Sequence, residues 1–187
     1  MNIFLDTAGS DLVIILFNDD FKVLDYVHEQ GVKQKVELLT QKFDDLMNFH
    51  NLSYFDIKSF YINKGPGFFT GVRIALVFAR SIALWTNAKM YTTNTFLILK
   101  KQISKRLYVL DASGGKKYLL GQKTLLKGNI KNIENSISVD VNNKKTHDIN
   151  YNLVINSFKN YQDIFTEEKI LDITPLYVKK PQIGGLK

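Results

Sequence analysis

The chain has 187 residues, enough for one medium domain or two small ones, and its 45% hydrophobic and 12% aromatic content excludes a disordered polymer. The absence of cysteine excludes a disulfide framework and thiolate chemistry. A net charge of +7, from 25 Lys and Arg against 18 Asp and Glu, is compatible with work beside RNA, although no segment combines clustered arginines with aromatics as a dedicated single-strand binder does.

No run is expected to reach the length of a membrane span, and the N-terminus has no basic stretch ahead of an apolar one. A cytoplasmic location is the expectation. Ile3-Phe4-Leu5 reads as a short strand ending in the turn Asp6-Thr7-Ala8-Gly9-Ser10. Residues 12–17 are apolar at every position, and Asn18-Asp19-Asp20 after them is a hairpin signal. Residues 21–27 form a third strand with partial alternation, so the chain opens as an antiparallel meander. Residues 33–49 are helical by period, with Val36, Leu39, Phe43, Leu46 and Met47 on one face. After a turn at 53–56, residues 57–63 are a fourth strand.

The stretch Gly65-Pro66-Gly67-Phe68-Phe69-Thr70-Gly71-Val72-Arg73 follows. Its glycines permit backbone angles and close approaches that a side chain would block. Pro66 biases Gly65 toward an extended form, and Thr70 is placed to cap the next helix. Amides at a helix N-terminus attract anions, but no Gly-Lys-Ser/Thr follows the last glycine and the Rossmann spacing is absent. A structural strand-to-helix turn is therefore expected first, and a binding role second. The helix over 72–87 is apolar almost all round and must be covered on several sides. Ala75, Ala79 and Ala83 lie four apart and make a small-residue stripe, open to a backbone of the same domain or of a second protein.

Residues 89–92 are a fifth strand, and Thr93 to Thr95 offer caps for a helix reaching about Ser104. The order β-β-β-α-β-α-β-α implies an α/β fold whose mixed sheet pairs strand one in parallel with strand four. That is the ribonuclease-H-like half domain of the actin and sugar-kinase superfamily, assigned to 1–104. A second, reduced lobe is expected over 105–187. It starts with a strand at 107–110, the turn Ser113-Gly114-Gly115 and a return strand over 116–122. Residues 127–150 are rich in Asn, Lys and Ser, with Ile133, Ile137, Val139 and Val141 marking short edge strands. Leu153-Val154-Ile155 reads as a strand, 158–173 has no clear period, 174–178 is extended, and the basic residues 179–187 are a frayed end.

His28, His50 and His147 are too far apart for a metal pair on one helix, and His28 is expected to be exposed. Asp6 and Asp111 each end the first strand of their half. In actin-like ATPases such aspartates hold Mg²⁺ through water; otherwise each only caps its turn. An actin-like ATP-dependent enzyme using Asp6 and Asp111 is thus the alternative function. A peptidase has no metal ligands or nucleophile–base pair behind it.

Leu5-Asp6-Thr7-Ala8, the stretch from Gly65 to Arg73, Leu110-Asp111-Ala112 with Tyr118, and Pro175-Leu176-Tyr177-Val178-Lys179 occur in the order found in the TsaB (YeaZ) family. The chain resembles that family over 1–122 and again in its last strand. The resemblance implies a two-lobed actin-like architecture with a reduced second lobe. It implies a non-catalytic subunit that pairs with its catalytic homologue TsaD, is joined by the ATPase TsaE, and serves N6-threonylcarbamoyladenosine formation in tRNA. No catalytic, metal or cofactor-binding residue is expected in this chain alone. Family members pair through their first two helices, which points to Val36, Leu39, Phe43, Arg73, Ala75, Leu76, Ala79, Ile82 and Ala83, and a homodimer can form through the same surface. On that reading Ala79→Arg abolishes pairing while the lobe stays folded. Two departures stand out: Ser113 and Lys116 occupy positions usually held by an arginine and an acid, and Val32-Lys33-Gln34-Lys35 replaces an Arg-x-His-Ser/Thr pattern. The basic tail is the expected site of any direct tRNA contact.

Overall fold

The computed structural model describes residues 1–178; the basic end over 179–187 lies outside the described residues. Strands β1 (Asn2–Asp6) and β2 (Leu12–Phe17) are buried at every position, and β3 (Val23–Glu29) is partly exposed. With β4 (Ser59–Asn63), β5 (Lys89–Thr93) and β9 (Thr166–Glu168) they form a six-stranded sheet in the order β3-β2-β1-β4-β5-β9. β1 is antiparallel to β2 and parallel to β4, with Leu5 opposite Ile62. A meander joined to crossover helices therefore yields the mixed sheet the element order implies.

Alternation along the strands sends neighbours to opposite faces. Ile3 and Leu5 pack with Leu39 and Phe43 of α1 (Lys35–Phe49) and with Ala75, Ala79 and Ala83 of α2 (Phe69–Thr86). Phe4, Val13, Ile15 and Phe17 face the other way, against Phe96 of α3 (Thr95–Gln102) and against Tyr108, Leu120 and Phe158 from the second half. That half is built on a three-stranded sheet, β6 (Leu107–Asp111), β7 (Lys116–Gly121) and β8 (Ser138–Val141). Short helices α4 (Gln122–Lys127), α5 (Ile130–Asn135) and α6 (Tyr151–Asn156) and a 3₁₀ segment, Phe158–Ile164, complete it.

Several expectations need correction. Leu153-Val154-Ile155 is helical: a short apolar run has no period to separate helix from strand, and Asn150 settles it by capping the Leu153 amide. Ile133 lies in α5, capped by Asn129, and not in an edge strand. β9 carries no apolar pattern; pairing with β5 places it, supported by Lys89 and Tyr91 on Glu167. Helix α2 begins at Phe69 with Phe68 as its N-cap, so Thr70 lies inside the first turn and does not cap. Gly65 is not extended: its φ is +101°, and the Gly65–Pro66 peptide is cis. Finally, α2 is by length and composition apolar enough to cross a membrane, contrary to expectation; here its small-residue face lies on the lobe's own sheet.

The glycines of the central loop are there for close approach. A Cβ on Gly67 would lie 2.2 Å from the Ala8 carbonyl oxygen, and one on Gly71 would lie 2.2 Å from that of Thr7. Gly71→Ala is expected to destabilise the fold by about 2 kcal/mol or more, because backbone must shift to admit it. Gly9→Ala, where an added Cβ meets nothing within 4 Å, is expected to be close to neutral, with urea titration of both variants as the check.

Candidate functional site

Two surfaces deserve comparison as sites: a groove between α1 and α2, and a cleft between the two sheets. The inward faces of α1 and α2 belong to the core. Leu39, Phe43, Ala75, Leu76, Ala79, Ile82 and Ala83 are all buried, with Ala79 at 0% exposure. The alanine stripe therefore meets the lobe's own sheet and not a second molecule, and Ala79→Arg would break the lobe before it tested pairing. The reason is geometric: only small side chains let the helix axis approach the sheet closely at those positions.

The outer faces are different. Val36 is 56% exposed and Val77 55% exposed, and they border a groove of about 510 Å³ that also reaches Leu39, Tyr54, Ile74, Phe78 and Ile82. Leu84, Trp85 and Phe55 continue the exposed apolar surface, with Trp85 edge-on to Phe55 at 4.9 Å. Of the nine expected contact residues, Val36, Leu39, Arg73 and Ile82 line this groove; Phe43, Ala75, Leu76, Ala79 and Ala83 do not. Among the described residues Arg73 is the one charged side chain lining it, and its guanidinium lies 5.4 Å from the Phe69 ring centre. Tyr54 at the other end donates to Asp44, which pushes its phenol up to about 12. Val77, Leu84 and Trp85 were hidden in the sequence by a helix apolar all round, where no period separates the covered side from the open one.

The cleft, about 450 Å³, is bordered by Ser10, Asp11, Gly67, Asp111, Lys117 and His147. Asp6 is not exposed in it. Its carboxylate is fully buried and accepts from the Ala8 amide at 2.9 Å and from Asn63 at 2.8 Å, with the buried Tyr151 phenol beside it. Burial raises its proton affinity against those two bonds, the Tyr151 phenol and the Lys35 charge. Burial beside Asp6 likewise lifts the Tyr151 phenol well above its usual value. Asp111 is exposed and accepts from the Ser113 amide, with Lys117 3.9 Å away. The structure thus separates the two aspartates: one is sealed by its own chain, the other is a turn cap at the rim. Lys35 is buried and donates to the Thr7 and Gly9 carbonyls; burial lowers its proton affinity. His28 is not exposed as expected but half-buried, 2.8 Å from Asp11 and packed on Tyr151. His147 accepts the Val109 amide on Nδ1, so its proton sits on Nε2. Among the described residues no three His, Asp or Glu side chains cluster as a metal site.

Residues 27–149, about two thirds of the chain, match the model of the family described as TsaD: tRNA N6-adenosine threonylcarbamoyltransferase. The chain is 35% identical over 97 residues to an uncharacterized protein of Mycoplasma genitalium, covering 50% of this chain and 48% of that one. It is 27% identical over 125 residues to the tRNA threonylcarbamoyladenosine biosynthesis protein TsaB of Escherichia coli, covering 61% and 51%. The chain thus spans about half the length of the curated relatives it matches. The crystallised YeaZ of Pseudomonas aeruginosa superposes with a TM-score of 0.55 at 17% identity, over 74% of this chain and 63% of that one. This is a likeness of fold.

The Asp11–His28 contact yields a pH signature. Burial of Asp11 works against ionisation, but His28, the Ser10 hydroxyl and the Gly31 amide hold its carboxyl below the ordinary 3.8. The native state therefore gains stability from Asp11 above pH 3.8 and loses it as pH falls through the lower native value. In thermal melts Asp11→Asn is expected to lie below the wild type at neutral pH, with the gap closing in acid. A gap independent of pH would contradict this.

Proposed function

Because the chain belongs to the TsaD tRNA N6-adenosine threonylcarbamoyltransferase family, and within it to the TsaB/YeaZ group, we propose that it is a non-catalytic subunit of the assembly that forms N6-threonylcarbamoyladenosine in tRNA. Its partner is the catalytic homologue TsaD, seated on the α1–α2 groove. TsaE and the tRNA substrate join the assembly, in the cytoplasm, and this chain holds no cofactor by itself.

One observation carries the reading: the groove and its flank expose Val36, Val77, Leu84 and Trp85 together. Monomers rarely leave large contiguous apolar patches in water, and a standard interface hides about 800 Å² on each partner. Pairing of two homologous chains through matching helices also suits a two-fold-like geometry, so self-association is expected when TsaD is absent. The actin-like ATPase alternative is supported less well. Its Mg²⁺-holding aspartate would be Asp6, which is fully buried and whose two oxygens are already engaged by Ala8 and Asn63.

Val36→Asp with Val77→Asp is expected to weaken the complex with the same organism's TsaD by about 2 kcal/mol or more, roughly 30-fold, in calorimetry. Both side chains are exposed, so the unfolding midpoint of the free chain should hardly move. Unchanged affinity, or no complex with the wild-type chain, would sink the proposal.

A further inference from the structure

Positive charge is unevenly placed. Residues 1–104 carry eleven Lys and Arg against ten Asp and Glu, whereas 105–187 carry fourteen against eight. Much of the excess gathers at the end of α3 and on α4 and α5. Lys105 and Arg106 follow α3, and the Arg106 carbonyl accepts the Gln122 amide at 2.9 Å, which fixes the start of α4 beside them. Lys123 and Lys127 are four apart on α4 and share a face. Lys131 follows on α5 and lines a groove of about 640 Å³ together with Lys100 and Lys101. All of these except Lys100 are exposed.

The acids nearby are already committed. Asp163, which lines the same groove, pairs with Lys101 at 2.7 Å. Glu134, on α5 with Lys131, reaches Lys64 at 3.2 Å. Among the described residues Lys105, Arg106, Lys123, Lys127 and Lys131 form no ion pair. The aliphatic floor of the groove, Leu97, Leu125, Ile130, Ile133 and Ile164, belongs to the chain's own core, and among the described residues Leu126, at 61% exposure, is the one large apolar side chain of this face that stands out in solvent. Among the described residues the groove lining holds no aromatic residue of the kind that anchors protein interfaces. A concentration of flexible, unpaired cations without an exposed aromatic anchor suits a polymer of regularly spaced phosphates.

We infer that the α3–α5 face is a contact surface for an RNA phosphate backbone. The face is separate from the α1–α2 groove, and its charge stands whether or not that groove binds TsaD; only the choice of RNA rests on the function proposed above. Lys127→Gln with Lys131→Gln removes two of the free cations, and Lys22→Gln with Lys33→Gln removes two exposed cations of the first lobe.

The full chain, with no partner added, is titrated against a fluorescently labelled, unmodified tRNA transcript between about 50 and 200 mM salt. Wild-type affinity is expected to fall steeply with salt. Lys127→Gln with Lys131→Gln should weaken binding about tenfold and reduce the logarithmic salt slope by about 2, while the first-lobe pair stays close to wild type. Three results would overturn the inference: no binding at the lowest salt, wild-type binding by the α4–α5 variant, or equal losses in both variants, which would mean attraction by overall charge alone. If an acidic protein is what this face meets, the first of these is what will be seen. TsaD binding is measured in a separate calorimetric experiment, so either idea can fail without the other.

Discussion

The Thr7 hydroxyl sits inside the first turns of α2. It donates to the Gly71 carbonyl at 2.6 Å and accepts from the Ala75 amide at 3.2 Å. In an undisturbed helix that carbonyl and that amide would bond each other directly. The turn after β1 is thus built into the helix, and the Phe68 amide adds a bond to the Ala8 carbonyl at 2.8 Å. Such contact is possible only if no Cβ stands between the two backbones, which is why Gly67 and Gly71 are required. The Phe68 amide is spent on this internal docking and the Gly65 amide on the Asn63 side chain, so the segment serves as a structural joint.

From this joint the two surfaces follow. With α2 anchored at its N-terminus, its alanines face the sheet and Val77, Leu84 and Trp85 are left outward beside α1. The same anchoring encloses Asp6. Asn63 ties it to the end of β4 and to Thr95 at the start of α3, and Tyr151 of α6 closes it from the second half. The aspartate that ends β1 thus ties the ends of β4 and α3 to the first turn of the chain.

A second strut works through charge. Lys64 is buried between Glu168 at 2.9 Å and Glu134 at 3.2 Å, while its backbone carbonyl accepts the Leu176 amide. One lysine therefore joins the central loop, the edge strand β9, helix α5 and the C-terminal segment. Buried ion pairs of this kind add little net stability, but removing one partner leaves an uncompensated charge at high cost. The reduced second half is held to the first by polar struts as well as by the shared core of Phe4, Phe17 and Phe158.

The element order over the first 104 residues, the parallel pairing of strands one and four, and the central glycine loop can all be read from the order of amino acids. These are signals of period and turn chemistry, which are local. Tertiary structure alone decided which way α2 faces, since a helix apolar all round has no period to show its covered side. It decided that Lys35 is buried, that β9 returns to the first sheet and that Leu153 to Ile155 is helical, because each depends on partners far along the chain. It also decided that Asp6 is sealed and Asp111 exposed. Both aspartates end a strand ahead of a turn, and the difference lies in what covers Asp6: Asn63, 57 residues on, donates to it, and the buried Tyr151, 145 residues on, lies beside it.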